Sequence, residues 1–164
     1  VDTLQGFVLS LAFSPEGGHH LACGTKVGGV DIVDVAAGKL LHRLHDQAMA
    51  IRTLAYSPTD TSLLYVGCDD GLTYLYDMRD RRMVYNFQGH TSRVLSLAIS
   101  PTNQCLATAS SDQTVKIWDL ASRQCTDTLS HHTDQVWGVA FNETGDRLAS
   151  ASDDKSLWWY RALA

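Results

Sequence analysis

One residue cluster returns four times along this chain at a nearly constant step, and that recurrence limits the fold more than any other property. Phe13-Ser14-Pro15, Tyr56-Ser57-Pro58, Ile99-Ser100-Pro101 and Phe141-Asn142-Glu143 are separated by 43, 43 and 42 residues. Val33-Asp34, Tyr76-Asp77, Trp118-Asp119 and Tyr160-Arg161 keep nearly the same interval. A period of this size means that one supersecondary unit is copied and stacked, because a single copy cannot bury its own apolar face.

The fullest copy runs from His90 to Asp119. Val94 to Ile99 is aliphatic and β-branched, Pro101-Thr102-Asn103 is a turn signal, and Cys105 to Ser110 alternates apolar and small hydroxyl side chains. A tight turn at Ser111-Asp112-Gln113 leads into Val115 to Trp118, and Gln124 to Leu129 supplies an outer strand. Short runs of this composition between turn residues predict β-strands, so the class is all-β.

The four repeats span approximately 1–44, 45–87, 88–129 and 130–164, and are expected to form a single domain. Repeat one predicts strands at Val8 to Phe13, His20 to Gly24, Gly29 to Val35 and Lys39 to Leu44, with turns at Pro15-Glu16-Gly17-Gly18 and Ala37-Gly38. Repeat two holds Asp69-Asp70-Gly71, a good hairpin turn. Repeat four writes Leu157-Trp158-Trp159-Tyr160 where the third has Val115 to Trp118, and the chain stops at Ala164 with no sequence for a further strand.

Composition narrows the function. A net charge of −5 with no basic repeat argues against sequence-independent nucleic-acid binding through phosphates. Cys23, Cys68, Cys105 and Cys125 are scattered without a CxxC pair, as small buried side chains in a reducing compartment would be. No apolar run reaches the ~18 residues of a membrane span. The first residue is Val1 and no secretory leader is visible, so a soluble intracellular protein whose beginning is absent is expected.

Gly89-His90 at one end of the full repeat and Trp118-Asp119 at the other, in phase with three degenerate copies, resemble the WD40 family of β-propellers. The resemblance covers essentially the whole chain and implies a four-stranded blade from each repeat. About four blades are then present, fewer than the family's closed rings usually have. It therefore implies an incomplete ring, its N-terminal blades missing or supplied by another chain, and a last blade that an N-terminal strand completes on ring closure.

The same resemblance implies a structural tetrad of His90, Thr108, Asp112 and Trp118, with His132, Ser150 and Asp154 in repeat four. Ser110 is the other candidate hydroxyl, and Thr108 is preferred because it stands four residues before Asp112, the spacing of the resembled family. In repeat two Gln47, Val66 and Tyr76 replace the histidine, the hydroxyl and the tryptophan, while Asp70 and Asp77 are retained. Repeat one has Val27 for the aspartate and Val33 for the tryptophan.

A Ser-His-Asp triad is the competing reading of these residues, but recurrence at the repeat period and the absence of a GxSxG elbow point to scaffold, so no catalytic residue is assigned. His19-His20 and His131-His132 lack metal-site spacing, and adjacent strand residues face opposite ways, so no metal or cofactor is expected. Asp69 and Asp153 are read as surface turn residues, and Arg79-Asp80-Arg81-Arg82 as a solvated loop.

The starts of successive innermost strands place Ala50, Arg52, Arg93, Leu95, Gln135 and Trp137 at the mouth, where propellers commonly bind peptides. Trp137 is either an interior packing residue or an anchor for a protein segment; aromatic and guanidinium groups are typical of the latter.

Within the family, Gly89-His90-Thr91-Ser92, His132-Thr133-Asp134-Gln135-Val136-Trp137 and Ser152-Asp153-Asp154-Lys155-Ser156 are similar to the C-terminal half of the WD-repeat subunits shared by the superkiller RNA-decay complex and the RNA polymerase II-associated elongation-factor complex, especially in plants. Trp158-Trp159 departs from that pattern. The resemblance implies a non-catalytic scaffold for transcription elongation, histone modification or cytoplasmic RNA decay. Such a scaffold would hold partner proteins through short linear segments, in the nucleus and cytoplasm, without direct contact to nucleic acid or membrane. The alternative is a WD40 adaptor in another assembly, such as a ubiquitin-ligase substrate receptor or a ciliary or coat component.

Overall fold

The computed structural model describes residues 4, 6–15, 17–44 and 47–161. The expected start of repeat one at Val1, Glu16 of the first turn, the start of repeat two at His45 and the end of repeat four at Ala164 lie outside the described residues.

Every regular element described is a strand. The first sheet is β1 (Val8–Phe13), β2 (His20–Thr25), β3 (Val30–Asp34) and β4 (Lys39–Leu44); the second is β5 (Ile51–Tyr56), β6 (Leu63–Cys68), β7 (Thr73–Asp77) and β8 (Arg82–Phe87). The third is β9 (Val94–Ile99), β10 (Cys105–Ser110), β11 (Val115–Asp119) and β12 (Gln124–Leu129), and the fourth is β13 (Val136–Phe141), β14 (Arg147–Ser152) and β15 (Leu157–Arg161). Within each sheet the strands follow chain order and pair antiparallel, the meander that short turns dictate. This is the all-β blade arrangement expected from the repeat.

The turns repeat as faithfully as the strands. Gly28, Gly71, Gln113 (φ 71) and Lys155 (φ 68) occupy one left-handed position, between the second and third strands of the four sheets. Glycine suits it in two repeats, while two non-glycine residues are held there by the surrounding hairpin. Each first strand also carries a bulge. The pairing register skips Leu9, Arg52, Leu95 and Trp137, one residue in each sheet.

The sheets stand in a row, β1 against β5, β5 against β9 and β9 against β13. Period-two alternation gives every sheet one face toward each neighbour. Ile32 and Leu44 meet Ile51, Leu64 and Val66 between the first two sheets. Tyr65, Leu75 and Phe87 meet Leu97, Leu106 and Trp118 at the next junction, with the Phe87 and Trp118 rings edge to face at 5.5 Å. Ala107, Ala109 and Val115 receive Val136, Val139 and Leu148 at the third. The sheets approach closely enough that a Cβ on Gly67 would lie 2.9 Å from Val94 of the next sheet. Each fully buried aliphatic or aromatic side chain contributes about 1.5–3 kcal/mol, so the junctions hold the sheets together.

The faces at the two ends of the row are different. Leu11 and Phe13 on β1 are each 60% exposed, as are Leu157 and Trp159 on β15 at 58% and 73%.

Candidate functional site

Two hydrogen-bonded networks lie at equivalent places in the third and fourth sheets. In the third, His90 Nδ1 is 2.8 Å from Asp112 Oδ2 and Nε2 is 2.8 Å from Thr108 Oγ1. The Trp118 indole N–H donates to the same Thr108 oxygen at 2.8 Å. A carboxylate can only accept, so Nδ1 carries the imidazole proton and Nε2 accepts from the threonine hydroxyl. The chain of donors then runs from Trp118 through Thr108 to His90, and His90 donates to Asp112. Ser110 is engaged elsewhere, donating to Ser92 O at 3.1 Å and accepting from Asp112 N at 3.0 Å.

Asp112 also accepts from Thr114 Oγ1 at 2.6 Å and from Thr91 N at 3.0 Å. Burial by itself would raise its carboxyl. The hydrogen bonds from His90, Thr114 and the Thr91 N–H outweigh burial and hold it well below the usual carboxylate range. In the fourth sheet His132 bridges Asp154 and Ser150, each at 2.8 Å, and Tyr160 Oη stands 3.4 Å from Ser150 Oγ in place of an indole. The Ser156 hydroxyl, against the opposing effect of burial, leads the hydrogen bonds that hold Asp154 low.

These networks consume their own donors and acceptors. Thr108, Ser150 and His132 are buried, and His90 has a side chain 1% exposed, so none faces a substrate-sized opening. Among the described residues no three His, Cys, Asp or Glu side chains are grouped as metal ligands.

The second sheet shows what happens when the residues change. Gln47 Nε2 donates to Tyr76 Oη, while Val66 fills the hydroxyl position with an apolar group. Asp70, retained at the structural aspartate position, is exposed; it accepts from the Tyr74 hydroxyl at 2.6 Å and from Leu72 N at 2.9 Å. Its neighbour Asp69, expected at the surface, is instead held in a two-point ion pair with Arg52, at 2.8 and 2.9 Å. In the first sheet the buried carboxylate is Asp31, paired with Arg43. Arg79, read as part of a solvated loop, reaches Asp60 at 3.1 Å.

The mouth residues divide by burial. Ala50 and Leu95 are only 7% and 8% exposed, so they offer little surface to a partner, contrary to the sequence expectation. Gln135 and Arg52 are half-buried, the latter tied to Asp69, and Arg93 is exposed. Trp137 is 50% exposed and belongs to none of the three interior clusters. It occupies the bulge of β13, the place taken by Arg52 and Leu95 in the neighbouring sheets. A bulge re-aims the side chain it carries, and the space around adjacent Gly138 is open to 4 Å.

A cleft of about 640 Å³ separates the outer parts of the third and fourth sheets. Ile117, Leu129 and Tyr160 form part of its apolar lining, and Asp119, Asp127 and Arg161 stand among its charged residues. Sequence reading missed this cleft and both substitute pairs. Gln47 and Tyr76 were each visible as departures from the repeat, but their compensation was not.

The model of the WD domain, G-beta repeat, matches residues 38–77, 81–119 and 123–161. Each match runs from the outer strand of one sheet to the third strand of the next, so the sequence unit ties neighbouring sheets together. The WD repeat-containing protein VIP3 of Arabidopsis thaliana is 46% identical over 102 residues, 62% of this chain and 32% of that protein. Protein groucho of Drosophila melanogaster is 31% identical over 122 residues, covering 72% of this chain and 16% of the relative. The human WD repeat and SOCS box-containing protein 1 is 31% identical over 99 residues, 60% of this chain and 24% of its own length. The matched stretch is thus less than a third of any of these three relatives. With the repeat model covering well over half of its length and the strands stacked as four successive blades, the chain belongs to the WD40 family.

Proposed function

We propose that this chain is the peptide-holding part of a non-catalytic scaffold subunit. The half-exposed Trp137 on the β13 bulge carries the reading: an indole left outside the core, beside Gln135, is an anchor of the kind that fixes an extended protein segment. Arg93 adds a guanidinium from the neighbouring sheet. The segment held would present a hydrophobic side chain with polar flanks. The networks at His90 and His132 keep the blades rigid beneath this surface and perform no chemistry on a ligand.

The assembly served is one of transcription elongation and histone modification or of cytoplasmic RNA decay, with work in both nucleus and cytoplasm. The motif resemblance of the last two repeats supports this reading, and so does the 46% identity to a plant WD repeat-containing protein. A WD40 adaptor in a different assembly is the second reading, favoured by the relatives named groucho and WD repeat and SOCS box-containing protein 1.

Affinity purification of the natural full-length product from nuclear and cytoplasmic extracts, with identification of its companions, separates the two readings. Elongation-factor or RNA-decay subunits are expected. Trp137→Ala should release a bound segment at a cost of about 2 kcal/mol or more while leaving the melting curve in place. Companions retained by the variant, or binding and melting lost together, would make Trp137 a packing residue.

A further inference from the structure

The outer part of the junction between the first two sheets repeats a contact of the next junction with one exchange. On β8, Tyr85 stands opposite Leu75, donates its hydroxyl to Arg123 O at 3.3 Å and has the Arg123 guanidinium 4.9 Å from its ring centre. Arg123 ends the turn before β12, and Arg81, in the same left-handed backbone conformation (φ 54 against 60), ends the turn before β8. His42 on β4, opposite Ile32, holds the place of Tyr85. An imidazole therefore stands where the next blade has a phenol, and the charge of Arg81 acts on it from the neighbouring sheet.

The exchange leaves the ring without polar contacts. His42 keeps some surface in solvent, yet both ring nitrogens are buried and neither meets a hydrogen-bond partner among the described residues. Burial first, then the charges of Arg81 and His20, hold its protonation below the ordinary histidine value. Carboxylates of both sheets are engaged elsewhere. Asp31 pairs with Arg43, Asp34 accepts from Ala37 N at 2.8 Å, and Asp80, in the turn with Arg81, faces Arg82 at 3.2 Å. Lys39 and Arg43 on β4 add charge of the same sign, while Tyr56, Tyr74, Tyr76 and Cys68, which the second sheet brings to this junction, are neutral near pH 7. His90 and His132, by contrast, each hold an aspartate.

We propose that the joint between the first and second blades is a pH-sensitive device, in which a proton on His42 releases β4 from the second sheet. An imidazolium has two N–H donors, and in the docked strand both are buried beside like charge with no acceptor, whereas water satisfies them when the strand is free. β4 is the outer strand of its sheet and pairs only with β3, so it can leave without breaking the rest of the blade. The docked state binds the proton less readily than the open one, so docking is fully present above the ordinary histidine value of about 6.5 and is lost as pH falls from there toward the lower docked value. Tyr85 does not titrate in this range, and the next joint stays closed. The device is independent of the surface at Trp137.

The test is hydrogen exchange of the whole protein, followed by mass spectrometry at about pH 7.5 and about pH 5.5, on either side of the histidine value and above the carboxylate range. After correction for intrinsic rates, exchange in β4 should accelerate several-fold on acidification, about tenfold at most, while β8 keeps its protection. His42→Tyr, which copies the next joint, should abolish the acceleration. Arg81→Glu, at an exposed turn position, should reverse it, because the imidazolium then gains a carboxylate partner; this variant decides the matter even where His42→Tyr does not fold. The proposal is overturned if β4 and β8 respond to acid alike, if the acceleration survives in His42→Tyr, or if Arg81→Glu leaves it unchanged.

Discussion

Gln47 and Tyr76 meet in the second blade where the third has His90 and Trp118, and the amide donates directly to the phenol without the hydroxyl that bridges the other pair. The position between them is Val66, fully buried. Two longer-reaching polar groups therefore close a gap that Thr108 fills in the next repeat. Buried polar atoms need partners, and the substitution keeps the Gln47 donor satisfied.

That pair makes a direct prediction. Tyr76→Phe removes the described partner of the Gln47 amide and should cost about 1–3 kcal/mol of stability. Adding Gln47→Leu should return part of the loss, because two apolar groups leave no stranded donor. Urea denaturation of the two single variants and the double variant measures the coupling; strictly additive losses would show that the bond contributes nothing.

The two turn aspartates should separate cleanly. Asp112→Ala strips His90, Thr91 and Thr114 of one acceptor and should destabilise by about 1–3 kcal/mol. Exposed Asp70 should tolerate Ala to within about 0.5 kcal/mol. Equal shifts in denaturation midpoint would remove the distinction drawn between them.

Acid should act through Asp112. Its folded value lies below the ordinary one, so the unfolded chain binds the proton more readily. The stabilisation is fully present above the unfolded carboxylate value of about 3.9 and is lost as pH falls through the lower folded value. Asp112→Asn lacks this dependence, so the stability gap between wild type and variant should narrow progressively below about pH 4. Denaturant titrations at successive pH values report it, and a gap that widens on acidification would reverse the sign.

Thiol reactivity should follow burial. Desolvation in the core pushes Cys68 up to about 12 and also raises Cys23, whereas Cys125 is exposed. Since the thiolate is the reacting species, native alkylation by iodoacetamide should modify Cys125 first, and Cys23 and Cys68 only after unfolding. Mass spectrometry of timed samples checks the order. Labelling of Cys68 at the rate of Cys125 would mean that the second blade opens readily.

The repeat period, the strands and the hairpin turns were legible because they are local: alternation and turn residues act over a few positions, and four copies reinforce one another. The residues of the His90 network could be named because Gly89-His90 and Trp118-Asp119 resemble the family's motif, and strand pairing then sets Thr108 and Trp118 on one face of one sheet. What remained hidden depends on which side chains meet from separate strands and sheets. Asp69 and Asp70 are adjacent and chemically identical, and only the placement of Arg52 on a bulge of another strand decides which is drawn in and which stays in water. Leu95 and Trp137 occupy the same bulge in successive sheets, yet one is buried and the other half exposed. The sequence by itself determined the repeating strand unit. Which side chains became core or open surface was decided by sheet-on-sheet packing, because burial is set by what stands across the junction and not by the residue's own strand.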